Sequence, residues 1–180
     1  TDEALQVARD HVCPVCAEHV KPKIAQPVAV PKKVPPLHTI GLDTKQLPGW
    51  TSGQLIKCLN IVDSTSELQR MLPFYDTEDA NHLRREYRTH WKSPYGAPRR
   101  AVVDPARWNI GPAMSEGFEK DGTAVLDVTA GQQHEQLGQT ERHGQWFDEM
   151  FIRVLRAVQP NSQEEWHECV VAVEDAKNRL

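Results

Sequence analysis

The sequence contains no apolar run long enough to cross a membrane, because no uncharged stretch approaches the roughly 18 residues that a span needs. Its start, Thr1-Asp2-Glu3, has neither the basic segment nor the following apolar segment of a signal peptide, and no initiator methionine. We therefore expect a protein without a membrane partner. The missing methionine suggests an excerpt from a longer chain.

Cysteine is scarce, and its four occurrences do not form the framework of a secreted disulfide-rich protein. Cys13 and Cys16 form a CxxC motif, whereas Cys58 and Cys169 stand singly in apolar surroundings. This usage favours a reducing, intracellular compartment.

Positive charge is also in short supply, since 21 lysines and arginines face 25 acids and the formal net charge is −4. A domain that binds nucleic acid is usually basic, so the overall charge argues against that class. Bases nevertheless cluster in two segments. These are Arg84, Arg85 and Arg88 in one, and Arg99, Arg100 and Arg107 in the other. The first cluster is either a solvated helix face or a DNA contact.

The composition is otherwise that of a globular domain with a sizeable core, with 39% hydrophobic and 26% charged residues in 180. Four segments are visible along the chain. Residues 1–21 form a short lead-in that contains the CxxC, and residues 22–36 form a linker rich in proline and lysine. Residues 37–160 alternate strand and helix patterns, and residues 161–180 form a last helix.

Three predicted strands open the third segment, joined by short turns that favour antiparallel hairpins. They are residues 37–42, 55–62 and 68–74. Thr77 can then cap a helix that Pro94 and Gly96 end.

The remainder alternates strand and helix. Two short strands, 101–103 and 123–128, flank a helix at 112–120, and residues 131–138 are polar and loop-like. Antiparallel hairpins followed by crossovers predict an α/β protein with a five-stranded mixed sheet flanked by helices.

A long helix follows the polar loop and ends at Pro160. We expect its apolar stripe, Phe147, Phe151 and Val158, to face the core. Ser162 and Glu165 then form a capping box for the last helix.

Three acids lie where this topology converges. Asp43 is predicted to end the first strand, Asp104 follows the fourth strand, and Glu141 is predicted to open the long helix. Carboxyl ends of neighbouring strands meet at one rim of an open sheet. Carboxylates gathered there repel one another unless a divalent cation neutralises them, and hard oxygen ligands suit Mg²⁺ or Mn²⁺.

Each acid also has a simpler interpretation. Alone, Asp43 is a turn residue, Asp104 a cap before Pro105, and Glu141 a favourable anion in the first turn of a helix. Their joint spacing and topology favour the metal site.

The acids and their surroundings resemble the integrases of retroviruses and long-terminal-repeat retrotransposons. Sixty residues separate Asp43 from Asp104 and 36 separate Asp104 from Glu141, similar to the spacing in that family. Residues 133–142, QHEQLGQTER, resemble the family motif His-Pro-Gln-x-Asn-Gly-x-x-Glu-Arg. The resemblance implies a ribonuclease H-like fold.

The chain also departs from the family pattern. Leu137 replaces the usual asparagine, Glu135 replaces the usual proline, and Trp108 places an aromatic residue one position early after Asp104. These departures favour a divergent retrotransposon over a retrovirus.

The family carries an N-terminal zinc module with two histidines and two cysteines. Cys13 and Cys16 resemble its last two ligands, but only 12 residues precede Cys13, and His11 and His19 are too tightly spaced to replace the histidines. A closed zinc site needs four ligands. Zinc binding is therefore expected only with missing upstream ligands, and residues 1–21 are interpreted as a remnant of that module.

The resemblance implies metal-dependent 3′ processing of element ends and strand transfer into target DNA. Two Mg²⁺ or Mn²⁺ ions are expected when DNA is bound, with Asp43 bridging both, Asp104 holding one and Glu141 the other. It also implies a nuclear location for the parent protein and a homodimer or higher oligomer formed through helices 140–158 and 162–180. Arg107, Arg142 and His143 are candidate DNA contacts.

Two alternatives stay open. A ribonuclease H-like nuclease acting on RNA–DNA hybrids needs a fourth acid, for which Glu78 and Glu86 are available. A degenerate core that only binds DNA or assembles with partners would keep the fold without the chemistry.

Overall fold

The computed structural model describes residues 34–75, 80–103, 112–127 and 134–179, together with Gln6. The predicted zinc ligands Cys13 and Cys16 and most of the linker lie outside these residues. The elements, in chain order, are β1 (Thr39–Pro48), β2 (Leu55–Asp63), β3 (Gln69–Phe74), α1 (Ala80–Tyr87), a π-helical turn (Arg88–Lys92), α2 (Ser93–Tyr95), β4 (Arg100–Val103), α3 (Pro112–Lys120), β5 (Ala124–Asp127), α4 (His134–Val158) and α5 (Gln163–Asn178).

The strands form one mixed sheet in the order β3-β2-β1-β4-β5. β1 pairs antiparallel with β2, and β2 pairs antiparallel with β3, whereas β4 lies parallel to β1 and β5 parallel to β4. The prediction of a five-stranded mixed sheet flanked by helices is therefore confirmed.

The first strand is longer than predicted, and the expectation that Asp43 ends it is wrong. β1 continues to Pro48, which pairs with Leu55 across the hairpin. The polar residues after Asp43 do not stop the strand, because β2 supplies a hydrogen-bonding partner along its whole length. The parallel pairing with β4 stops earlier, at Leu42 opposite Val103.

Several other predicted boundaries agree with the structure. α3 spans Pro112–Lys120, as predicted. The helical segment that contains α1, the π-helical turn and α2 ends at Gly96, whose φ of 86° suits a residue without a side chain. The predicted cap Thr77 lies outside the described residues. One half of the predicted capping box at the start of α5 is present, because Ser162 Oγ accepts a hydrogen bond from the Glu165 amide at 3.2 Å, whereas the Glu165 carboxylate accepts one from the Asn161 amide at 2.9 Å.

The long helix α4 begins earlier than predicted, at His134, so the interpretation of residues 134–138 as loop is wrong. Glu141 is the eighth residue of this helix and does not open it. A single glycine, Gly138, costs a helix about 1 kcal/mol relative to alanine, which a long and well-packed helix tolerates. Val158 is also not part of the core, because it is 56% exposed at the last residue of α4.

The sheet separates two hydrophobic clusters. On one side α1 and α3 cover β1 and β2, with Ile40, Leu42, Leu83, Trp91 and Phe118 fully or nearly buried. On the other side α4 and α5 cover the β1–β2–β3 half of the sheet. The large buried residues of this second cluster are Leu47, Met71, Phe147, Phe151 and Trp166.

Helix α5 also covers the exposed edge of β3, where a strand would otherwise offer unpaired backbone groups. The Asn178 side chain accepts a hydrogen bond from the Gln69 amide and donates one to the Gln69 carbonyl, both at 2.9 Å. The Glu174 carboxylate accepts a hydrogen bond from the Met71 amide. The last helix is thus tied to the sheet by polar contacts as well as by apolar packing.

Candidate active site

The candidate site lies where α4 packs directly on β1. A Cβ atom added to Gly41 would lie 1.8 Å from Thr140 Oγ1, so only glycine permits this approach. Four residues further along each element, a Cβ atom on Gly144 would lie 2.8 Å from Lys45 Nζ. β1 and α4 therefore run side by side through two close contacts.

Asp43 and Glu141 both lie between these two contacts. Asp43 shares a strand face with Gly41 and Lys45, because alternate residues of a strand point the same way. It is 5% exposed. Glu141 directly follows Thr140 and is half-buried at the margin of the packed face of α4. Two of the three predicted acids therefore lie on the paired segments of β1 and α4, Asp43 two residues after Gly41 and Glu141 one residue after Thr140.

The third predicted acid, Asp104, lies outside the described residues. It directly follows Val103, the last residue of β4, and Val103 pairs with Leu42, the residue before Asp43. The parallel pairing of β1 with β4 therefore ends one residue before Asp43 on β1 and one residue before Asp104 in sequence.

The three predicted DNA contacts have different surroundings. Arg142 is exposed, and its Nε donates to the Gly138 carbonyl at 3.2 Å within α4. His143 is largely buried, with its Nε2 3.8 Å from a Glu67 carboxylate oxygen, so it faces the β2–β3 connection. Arg107 lies outside the described residues.

A buried pair of amide side chains connects the sheet to the backbone of α4 around Glu141. Asn60, opposite Asp43 on β2, donates to the Thr140 carbonyl at 3.3 Å. Gln69 on β3 donates to Asn60 Oδ1 at 2.7 Å and to the His143 carbonyl at 3.4 Å. Both amides are fully buried. They hold the helix at residues on either side of Glu141.

An ion pair lies on the other side of the junction. Lys45 Nζ is 2.5 Å from Asp148 Oδ2, one helical turn beyond Gly144. Burial raises the pKa of Asp148, and the hydrogen bond and charge of Lys45 oppose that shift. Lys45 thus ties β1 to α4 at the far end of the contact.

The available ligands suit a hard cation. Asp43 and Glu141 offer carboxylate oxygens, the donors that Mg²⁺ and Mn²⁺ prefer. Among the described residues, no three histidine, cysteine, aspartate or glutamate side chains form a group that could hold a metal ion. A three-carboxylate site at this junction therefore requires Asp104.

Sequence reasoning missed Gly41, Asn60, Gln69 and Thr140. Two of them carried a signal: a glycine inside a strand often marks a close approach of another backbone, and asparagine is depleted in strands. Asn60 interrupts the apolar run of β2 between Leu59 and Ile61.

Comparisons with known proteins place this geometry in a structural context. No protein-family model and no curated protein sequence matches the chain. Two solved structures of the HTLV-2 integrase catalytic core domain in complex with magnesium do match. The dimeric form has a TM-score of 0.60 at 11% identity, covering 77% of this chain and 87% of that chain. The trimeric form has a TM-score of 0.61 at 13% identity, covering 77% and 83%.

A chain in the cryo-EM structure of the simian T-cell lymphotropic virus intasome in complex with PP2A regulatory subunit B56 gamma is also similar. The TM-score is 0.62 at 11% identity, over 79% of this chain and 49% of that chain. The present chain thus spans about half the length of that intasome chain. At such low identity the likeness establishes the fold, which is that of retroviral integrase catalytic cores.

Within the described ranges, no helix is both long and apolar enough to span a bilayer.

Proposed function

We propose that this chain is the catalytic core of a retroelement integrase, which processes the 3′ ends of element DNA and transfers them into target DNA. The observation that carries the proposal is the junction of β1 and α4, where Asp43 and Glu141 lie between the Gly41–Thr140 and Lys45–Gly144 contacts. The fold shared with integrase catalytic cores supports this interpretation.

The proposed chemistry assigns each acid a share of the metal ligands. Asp43 would bridge two Mg²⁺ or Mn²⁺ ions, Asp104 would hold one and Glu141 the other. Bound metal ions stabilise the attacking and leaving oxygens of an in-line displacement at phosphorus. The two retroviral core structures that this chain resembles are magnesium complexes.

The protein's own contribution is to hold Glu141 in register with Asp43. The amides of Asn60 and Gln69 fix the α4 backbone, and Gly41 lets it approach β1. A rigid helix positions Glu141 more tightly than a loop would. Arg142, next to Glu141 and exposed, is available to a DNA phosphate.

The test is strand transfer by the full-length parent protein with Mg²⁺ or Mn²⁺, comparing wild type with Glu141→Gln. We expect the variant to lose activity by at least about a thousandfold, since a metal ligand loses its charge. Glu149→Gln, a half-buried glutamate two turns further along α4, is the matched control and should stay active. Equal activity of Glu141→Gln and wild type would remove Glu141 from the site.

The ribonuclease H alternative depends on a fourth acid, for which the sequence offers Glu78 and Glu86. Its candidate fourth acid Glu86 lies 3.4 Å from His90 and 3.8 Å from His82, in a cavity lined by β3 and α5. That cavity borders the β3 edge of the sheet, two strands from β1. Glu78 lies outside the described residues. Cleavage of an RNA–DNA hybrid without strand transfer would support the nuclease. DNA binding without either activity would support a degenerate core.

We further propose that the core forms a homo-oligomer. Val158 at the end of α4 and Val171 on α5 are exposed apolar residues on the two helices predicted to form the interface. The two core structures that it resembles are a dimer and a trimer. Sedimentation velocity at high protein concentration tests this, and a monomer there would contradict it.

A further inference from the structure

A basic groove runs along α1 and the π-helical turn, on the side of the sheet away from α4. Its volume is about 610 Å³, and four cations line it: Arg84, Arg85, Arg88 and Lys92. Beneath it, α1 packs into the apolar cluster that contains Trp91 and Phe118, whereas α4 packs into the other cluster. The groove is therefore separate from the junction that holds Asp43 and Glu141.

The charge of this segment differs from that of the whole chain. Residues 80–95 contain four lysines or arginines and one acid, Glu86, although the formal net charge of the chain is −4. Glu86 contacts His82, Arg85 and His90 and helps to line the cavity next to β3. The acids Asp76, Glu78 and Asp79 precede the helix in sequence and lie outside the described residues.

Two of the four cations have no acidic partner in the described part of the chain. Lys92 forms an ion pair with Asp121, and Arg85 lies 3.5 Å from Glu86. Among the described residues, no carboxylate pairs with Arg84 or Arg88. Two guanidinium groups are thus available to an anion.

The groove also positions these guanidinium groups. Arg84 lies across α3 at Gly117, where an added Cβ atom would lie 3.1 Å from Arg84 Nε. Arg84 and Arg88 are one helical turn apart, about 6 Å along the axis, and Lys92 follows after one π-helical turn. These cationic side chains therefore form a row, and a row of cations matches the row of phosphates along a DNA strand. Short π-helical turns of this kind are often found at functional sites.

The aromatic residues near the groove do not offer a surface for stacking bases. Tyr87 is 3% exposed and Trp91 is fully buried. Proteins that hold single strands combine cations with exposed aromatic rings. A row of cations without such rings suits the backbone of a duplex, which is recognised through its phosphates.

We propose that Arg84 and Arg88 bind the phosphate backbone of a DNA duplex, on the side of the sheet opposite the proposed active site. This binding rests on charge and shape alone and does not depend on the proposed chemistry. It gives an acidic chain a local surface for DNA.

The experiment measures binding of a fluorescently labelled DNA duplex to the 180-residue chain by anisotropy, over a series of salt concentrations. For Arg84→Gln/Arg88→Gln we expect an affinity loss of about tenfold and a decrease of about 2 in the slope of log K against log salt. Arg156→Gln/Arg179→Gln removes two exposed arginines, one from α4 and one from the C-cap of α5, and is the charge-matched control. Its affinity should fall less, and its slope should change less.

A further variant and a metal-free buffer make the result decisive. Arg84→Lys/Arg88→Lys keeps the charges and should restore most of the binding, which excludes misfolding as the cause. The titrations are made with EDTA and without Mg²⁺ or Mn²⁺, so failure of the catalytic proposal and failure of this one give different results. Equal affinity and slope for the two glutamine doubles would overturn the proposal. A glutamine double that becomes monomeric while keeping its DNA affinity would also overturn it, and would make the groove a subunit interface.

Discussion

The two sides of the central sheet are built on different principles. Under α1 and α3, the buried strand residues are apolar apart from Asp63 at the end of β2, whose carboxylate accepts hydrogen bonds from the turn that follows, and the arginines stay outside in the groove. Under α4, the same strands bury Asp43, Asn60 and Gln69 beside apolar residues. Burying a polar group costs free energy unless it is hydrogen-bonded. On the α4 side, Asp43 and Asn60 lie inside their strands, at the place of the proposed chemistry.

The largest expected effect is on strand-transfer activity. It is tested by replacing one buried aspartate on each side of the sheet. Asp43→Asn should reduce strand transfer by at least about a thousandfold, because a proposed metal ligand loses its charge. Asp63 is the matched control, since it is fully buried on the strand face shared with Leu59 and Ile61.

Asp63→Asn should act on stability instead. Its carboxylate accepts hydrogen bonds from the Leu37 amide at 2.9 Å and the Ser66 amide at 2.6 Å, so we expect a cost of about 1–3 kcal/mol. Activity per folded molecule should remain. The check is strand transfer together with the rise in melting temperature that Mg²⁺ produces, which only Asp43→Asn should abolish. If Asp63→Asn also lost strand transfer and the Mg²⁺-induced rise in melting temperature, the two buried aspartates would not differ in role.

The second effect concerns a buried acid on the α4–α5 side. Glu174 is 2% exposed, and burial raises its pKa to about 7, against the opposing charge of Arg70 2.8 Å away. The folded chain keeps a proton that the unfolded chain releases near 4.5. The free energy of unfolding should therefore fall by about 3 kcal/mol as the pH rises from about 4.5 to about 7.

Urea titrations between pH 5 and 8 measure this slope. Glu174→Gln should flatten it, whereas Glu164→Gln, an exposed glutamate on the same helix, should leave it unchanged. If the free energy of unfolding changed with pH in the same way for wild type and both variants, the pKa of Glu174 would not be raised in the folded chain.

The third effect tests the close approach of β1 and α4. Gly41→Ala places a methyl group 1.8 Å from Thr140 Oγ1, so the helix must shift, at a cost of about 2 kcal/mol. A Cβ atom on Gly138 meets nothing within 4 Å, and Gly138→Ala should stabilise the helix by up to about 1 kcal/mol. Chemical denaturation of both variants measures these changes in the free energy of unfolding. A neutral Gly41→Ala would mean that β1 and α4 are not in contact.

The smallest effect concerns the amide pair. Asn60→Ala should cost about 1–2 kcal/mol, because it leaves the Gln69 side chain and the Thr140 carbonyl each with one hydrogen bond fewer. Asn81→Ala, at an exposed position of α1, should change stability by less than about 0.5 kcal/mol. Thermal unfolding in parallel compares them, and equal melting temperatures would remove Asn60 from any supporting role.

Hydrophobic patterning predicted most of the fold, including the sheet, α3 and the N-cap of α5, because these depend on local spacing and short turns. Boundaries failed where polar residues lie inside regular elements. Asp43 looked like the end of a strand, and residues 134–138 looked like a loop. For β1, the hydrogen bonds to β2 extend the strand to Pro48, and no pattern within β1 itself shows this pairing.

By itself, the sequence determined the element order and the spacing of Asp43, Asp104 and Glu141, since these follow from the period of apolar residues and from position in the chain. Only the tertiary structure decided that Gly41 lets α4 touch β1, that Asn60 and Gln69 hold the helix around Glu141, and that Arg84 and Arg88 line one groove. Each of these depends on atoms that meet across elements tens of residues apart, and no local pattern encodes such distances.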